Sequence, residues 1–267
     1  MVGLGAFVLG SYMALFLRAG DRYQIPSSVL NETRIYSVYL PSGYVPATSY
    51  PVLYSLDGEK YRHGAIVAAN ARMMAALGLA PDRIVVAVHT MGQRGRDYRP
   101  SHGAAAFTDF LEKELLPEVA RTLPTTGKHV LSGHSFGGLY TLYVMTTRPH
   151  LFEAYFAYDP SVLPDEELLD RLVSLAKAPP NKALRLYMNY GFHSARYEKR
   201  YSEVLEIIEG ELAGKVVVKS SYFPLPHSMI MLPGQVQAMA FEGPLRAVGQ
   251  VSHKKRPGNP SLLQSRI

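Results

Sequence analysis

One hexapeptide, Gly133-His134-Ser135-Phe136-Gly137-Gly138, carries the residue types of a nucleophilic centre. A serine flanked at two residues on either side by glycine suits a sharp turn that lifts the hydroxyl clear of its surroundings. Side chains at 133 and 137 would collide there, and Gly138 lets a following helix pack close. The helix beginning at Phe136 would aim its first amides at the site, where they can hold a developing oxyanion. A serine hydroxyl is a weak nucleophile without a base, and histidine is the side chain suited to that task near neutral pH. Nine histidines are available. There is no cysteine, which excludes a thiol nucleophile, a thiolate metal site and a disulfide framework.

The elements that must position these groups alternate along the chain. Strands are predicted at Glu32–Leu40, Pro51–Leu56, Arg83–His89, His129–Gly133, Phe152–Tyr158, Ala183–Asn189 and Lys215–Tyr222. Helices are predicted at Arg62–Leu77, Phe107–Arg121, Phe136–Thr147, Asp165–Lys177, Glu198–Leu212 and Leu232–Ala247. Short apolar strands alternating with helices of this length imply an α/β domain with a mostly parallel central sheet and helices on both faces. Ligands in such folds sit beyond the carboxyl ends of the strands. The loops starting at Asp57, His89, Gly133, Asp159 and Asn189, and the one around His227, are therefore where chemistry is expected. The elbow falls between a strand and a helix, as a nucleophile requires.

Bulk properties frame this domain. The length of 267 residues suits one large domain over 21–249, between an apolar segment at 1–20 and a basic tail at 250–267. Four of the basic residues behind the net charge of +6 (Lys254, Lys255, Arg256 and Arg266) lie in that tail, which has no acid. No basic stripe on a folded face is apparent, so a nucleic-acid partner is not expected. Met1–Leu17 carries no charge, and Arg18 follows. It is short for a membrane span and lacks the basic start of an export signal. An apolar helix lying on the domain, a signal or an anchor all fit. Membrane contact is expected only through this segment, and exported, periplasmic and cytoplasmic placements stay open, as does the oligomeric state.

Several motifs occur in the order found in one known family. ETRIYSVYLPSGY, YPVLYSLDGEKY, RGRDYRPS, FTDFLEKELLPEV and GHSFGGLYTLYV together resemble the Putative esterase (esterase D-like) family of α/β hydrolases. The resemblance runs from about Tyr23 to Ala247 and is nearest in motifs to the siderophore trilactone esterase group. It implies the α/β-hydrolase fold and a serine esterase working through an acyl-serine intermediate, with no metal or organic cofactor. The implied substrate is a small-molecule ester, aryl or siderophore-type. Acyl transfer at the same site, or a non-catalytic binding protein on the same fold, are the alternatives.

The fold's chain order is nucleophile, acid, histidine, with the histidine after the last strand. His227, in SYFPLPHSMIMLP, meets that condition and is the expected base. His89 and His193 end or follow other strands, His63, His102, His129 and His150 have no special context, and His134 reads as a packing residue. The backbone N–H of Phe136 is one expected oxyanion donor, and the resemblance implies that of Glu59, after Asp57-Gly58, as the second. Many family members carry the acid after the strand equivalent to Ala183–Asn189, but no carboxylate precedes Glu198 there. Asp159, at the end of the neighbouring strand, is therefore the expected acid. Its alternative is a turn-starting Asp before Pro160. Glu198 comes second, and a Ser-His dyad third. Arg94, Arg96 and Arg99 are expected near the rim, with Asp97 pairing one of them. The aromatic segments Tyr155–Tyr158, Tyr187–Phe192 and Tyr222-Phe223 suit either an aryl ester or a packed core.

Overall fold

The computed structural model describes residues 20–242. The apolar segment and the basic tail lie outside the described residues apart from Gly20. No described helix is long and apolar enough to cross a membrane.

Eight strands form one sheet: β1 (Asp21–Ser27), β2 (Glu32–Tyr39), β3 (Tyr50–Ser55), β4 (Ile84–Val88), β5 (Thr125–His134), β6 (Ala154–Tyr158), β7 (Leu184–Tyr190) and β8 (Val216–Tyr222). Their order across the sheet is β1-β2-β4-β3-β5-β6-β7-β8. The pairs β1–β2 and β2–β4 are antiparallel, and all others are parallel. The helices are α1 (His63–Ala76), α2 (Arg94–Asp97), α3 (Ala104–Phe110), α4 (Leu116–Thr122), α5 (Phe136–Thr147), α6 (Leu168–Lys177), α7 (Ala195–Gly210) and α8 (Met231–Glu242). A π-helical turn, Leu111–Leu115, joins α3 to α4, and a 3₁₀ turn, Lys60–Arg62, precedes α1.

Strand side chains alternate between faces, so the central strands feed two cores. On one face Val52, Tyr54, Val86, Leu131, Tyr155 and Leu186 pack with residues of α3 to α7. On the other, Leu53, Val85, Val130, Phe156 and Tyr187 pack with Val67 and Met74 of α1 and Met239 of α8. The expected aromatic segments divide accordingly. Tyr155, Phe156, Tyr158 and Tyr187 are core, whereas Phe192 stays exposed.

This arrangement fixes where a ligand can sit. From β3 the chain runs through α1 to β4 on one side, and from β5 it runs through α5 to β6 on the other. β3 and β5 are neighbours whose connections leave in opposite directions over opposite faces. Such a reversal opens a crevice at the carboxyl ends of the two strands. Ser135 stands at the end of β5, and Asp57 just beyond the end of β3.

Candidate active site

The elbow follows directly from its glycines. Ser135 has φ 62° and ψ −118°, a conformation L residues rarely adopt. A Cβ at Gly133 would run into the backbone of Gly137, and one at Gly138 would press on Pro160 at 3.0 Å. The strained serine is clamped from the neighbouring strand by two main-chain hydrogen bonds. Its N–H donates to the Tyr158 carbonyl at 2.9 Å, and its carbonyl accepts from the Ser161 N–H at 3.0 Å. Its hydroxyl sits 3.3 Å from Ser161 Oγ. The Phe136 N–H opens α5 and so has no helical carbonyl of its own to bond.

Asp159 lies one residue past β6 with φ 43°, and its carboxylate is fully buried. Its N–H donates to the Asn189 carbonyl and side-chain oxygen, at 3.0 and 2.9 Å. This left-handed turn directs Oδ2 to His227, whose Nδ1 lies 2.7 Å away. Burial pushes the Asp159 pKa up, but hydrogen bonds from His227 and then His193 outweigh it, so the group sits below the usual carboxylate range. An ionised carboxylate only accepts, so His227 carries its proton on Nδ1 and leaves Nε2 free. Glu198 lies in the first turn of α7, and the carboxylate partner of His227 is Asp159.

His134, a packing residue by its sequence context, does more than pack. Its Nε2 donates to the His227 carbonyl at 2.9 Å, with the two rings 4.5 Å apart. The residue before the nucleophile thus holds the loop carrying the histidine. Burial, followed by the neighbouring imidazole of His227, pushes its pKa down from 6.5 to about 4. Between those pH values the unfolded chain binds a proton that the folded chain refuses. The group therefore removes up to about 3 kcal/mol of stability as pH falls from 6.5 to 4. His134→Gln keeps a donor but cannot titrate, and is expected to flatten this acid slope, read as urea unfolding free energies at pH 7 and pH 4.5. An unchanged slope would show that His134 protonates freely in the fold.

A second buried charge, missed from the sequence, braces the elbow from β3. Arg94 Nε donates to both oxygens of Asp57, at 2.8 and 3.0 Å, and Nη2 donates to the His134 carbonyl at 2.9 Å. Asp57 has φ 58° and is 2% exposed. Burial raises its pKa, with Arg94 opposing the rise. Arg94 is thus committed inward rather than to the rim. Asp97 pairs with Arg34 at 2.5 Å and Arg96 at 2.8 Å, the structural pairing expected of it. Arg99 makes no ion pair among the described residues, and its guanidinium lies 5.1 Å over the Phe136 ring. The signal for Arg94 is present as a lone acid in LDG and a cation in RGRD, but nothing in the spacing joins them.

Glu59 uses its carboxylate to clasp the chain beyond β4. It accepts from the Thr90 N–H at 2.9 Å, Thr90 Oγ1 at 2.7 Å and the Met91 N–H at 3.0 Å. Burial raises its pKa, but these donors, the Thr90 hydroxyl foremost, bring it below the usual value. The Glu59 side chain thus anchors the turn whose N–H is the expected second oxyanion donor. Among the described residues, one trio (His134, Asp159 and His227) brings three potential metal-ligating atoms within 4.8 Å of one another. His134 Nε2 and His227 Nδ1 are already spent on hydrogen bonds inside the protein.

Comparison with known proteins identifies the family and the fold. The model of the Putative esterase family matches residues 27–211. Ferri-bacillibactin esterase BesA of Bacillus subtilis is 29% identical over 206 residues, spanning 65% of this chain and 71% of the relative. Siderophore triacetylfusarinine C esterase of Aspergillus fumigatus is 32% identical over 130 residues, covering 42% of this chain and 44% of the relative. Among solved structures, an IroE-like serine hydrolase from Shewanella oneidensis superposes with a TM-score of 0.76 at 27% identity. That match covers 83% of this chain and 79% of the other. The architecture is that of the α/β-hydrolase fold.

Proposed function

This chain belongs to the Putative esterase family, a serine esterase of the α/β-hydrolase fold, and on that premise we propose that it cleaves siderophore-type esters with Ser135, His227 and Asp159 as its triad. The observation that carries the triad is the pairing of a strained serine elbow with a buried aspartate 2.7 Å from a histidine on the loop beyond the last strand.

In the reaction, Ser135 Oγ leaves Ser161 for His227 Nε2, gives up its proton there and attacks the ester carbonyl. Asp159 stabilises the imidazolium through Nδ1. The Phe136 N–H receives the developing oxyanion, with the Glu59 N–H as the second donor. Collapse of the tetrahedral species breaks the C–O bond, and the imidazolium returns its proton to the leaving alcohol. Water then hydrolyses the acyl-serine with His227 again acting as base.

The substrate class rests on the relatives' names together with the rim. Arg99 offers a positive charge beside the elbow, and Phe192, 59% exposed, stands 6.4 Å edge-to-face from Tyr222. A cation over the elbow's Phe136 ring and, separately, exposed aromatic surface beyond β7 suit a ligand that is both polar and aryl-bearing. Purified protein should therefore release free acid from catecholate trilactones with a kcat/KM at least about 10-fold above that for short-chain acyl esters, followed by chromatography. Faster turnover of the short-chain esters would overturn the substrate class and leave the triad standing.

A further inference from the structure

Asp159 holds two imidazoles, and the triad accounts for only one. On the carboxylate oxygen turned away from His227, His193 Nε2 donates to Oδ1 at 2.7 Å, as short as the His227 contact to Oδ2. His193 follows β7, and its sequence context gives it no role beyond that of a rival histidine. We propose that His193 is a positioning residue for ester cleavage, acting through Asp159 to keep Oδ2 on His227 Nδ1. The proposal rests on the reading of Asp159 as the acid.

The carboxylate torsion of an aspartate is soft and nearly two-fold, so a buried carboxylate needs partners on both oxygens to stay oriented. Tyr197 is the other candidate for Oδ1. Its hydroxyl lies 3.1 Å from Oδ1 but 2.8 Å from the Pro160 carbonyl, and a phenol has one proton to give. The shorter contact draws that proton, which leaves His193 as the firm donor to Oδ1. His193 is itself held in place. Its ring stacks on Tyr197 at 3.7 Å and 21°, and meets the His227 ring nearly edge-on at 5.9 Å and 73°.

The surroundings of Asp159 supply no replacement. It faces His227 from the loop after β8, His193 from the turn after β7 and Tyr197 from α7, while Asn189 of β7 bonds only its backbone N–H. Without His193, the fully buried Oδ1 would have to draw the Tyr197 proton away from Pro160, or leave part of its charge unmet. The carboxylate would then reorient or weaken as an acceptor for His227. The effect would appear in the chemical step and not in substrate binding, because His193 makes no hydrogen bond to Ser135 or Ser161 among the described residues.

Three variants test this: His193→Phe, which keeps a ring against Tyr197 but cannot donate; His193→Gln, which restores an N–H; and Asp159→Asn. His193→Phe should lower kcat about 10- to 100-fold, the worth of one hydrogen bond to a charged group, with KM within about twofold. His193→Gln should recover most of the rate. In an Asp159→Asn background, His193→Phe should cost nothing further. Full additivity of the two changes, or a raised KM with unchanged kcat, would overturn the positioning role. A harmless His193→Phe beside a crippled Asp159→Asn would refute the proposal alone, whereas a harmless Asp159→Asn would remove the acid assignment with it.

Discussion

Ser135→Ala is expected to lower kcat for ester hydrolysis by about 10⁶-fold, leaving only the residual rate that binding and the oxyanion donors provide. The fold should survive, for reasons specific to this elbow. Serine and alanine share the Cβ that makes φ 62° costly, so the strain is unchanged. Both main-chain hydrogen bonds to the end of β6 remain, and alanine forgoes the 3.3 Å approach of the hydroxyl to Ser161 Oγ. A fluorophosphonate probe followed by peptide mass spectrometry should find its label on Ser135 in the native protein and nowhere in the variant. A label on Ser161, or an alanine variant with native turnover, would remove the central claim.

The second large effect belongs to the base. His227→Ala should reduce kcat by between about 10³ and 10⁶, because the Ser135 hydroxyl then has no proton acceptor. Asp159→Asn should cost up to about 10⁴, because an amide can hold His227 in the wrong tautomer and does not stabilise its cation. The carbonyl that His134 grips belongs to the backbone of residue 227 and is retained in the alanine variant, so the loop keeps one tether. Circular dichroism and urea midpoints close to native would show that the chemistry alone is impaired. A larger effect from changing His193 than from changing His227 would mean that the two histidines have been assigned the wrong way round.

Which parts can be read from sequence follows from the range over which each signal acts. The helix Phe136–Thr147 has the bounds expected, because the elbow defines its start and its apolar run defines its length. The paired strands β3 to β8 are legible as short apolar runs between turn residues. β1 is not. It is an antiparallel edge strand containing Pro26, with four exposed residues at its start, so it shows neither alternation nor an apolar run. The helix expected at Phe107–Arg121 begins at Ala104 and passes through a π-helical turn, a detail that side-chain periodicity does not encode.

The site shows the same division. Ser135 announces itself because its constraints lie within two residues. The contacts His193–Asp159 and Arg94–Asp57 span 34 and 37 residues, and nothing in the local pattern of either partner names the other. The two readings of Asp159, as a turn residue and as an acid, prove compatible. It turns the chain at φ 43° and, because of that turn, presents its carboxylate to His227.

The nucleophile and the aspartate ride on adjacent strands laced by the main-chain bonds between residue 135 and the end of β6. The histidine arrives differently, on the stretch between β8 and α8. That stretch is fastened by main-chain bonds of Phe223 to Tyr190 and of Leu225 to Phe192, and beyond them by His134 and Asp159. The proposed nucleophile and acid are therefore held by the sheet itself, and the proposed base by a short connection with tethers of its own. Working life and structural life are then different properties of this protein. Undocking that one short connection is expected to abolish turnover while every strand stays paired.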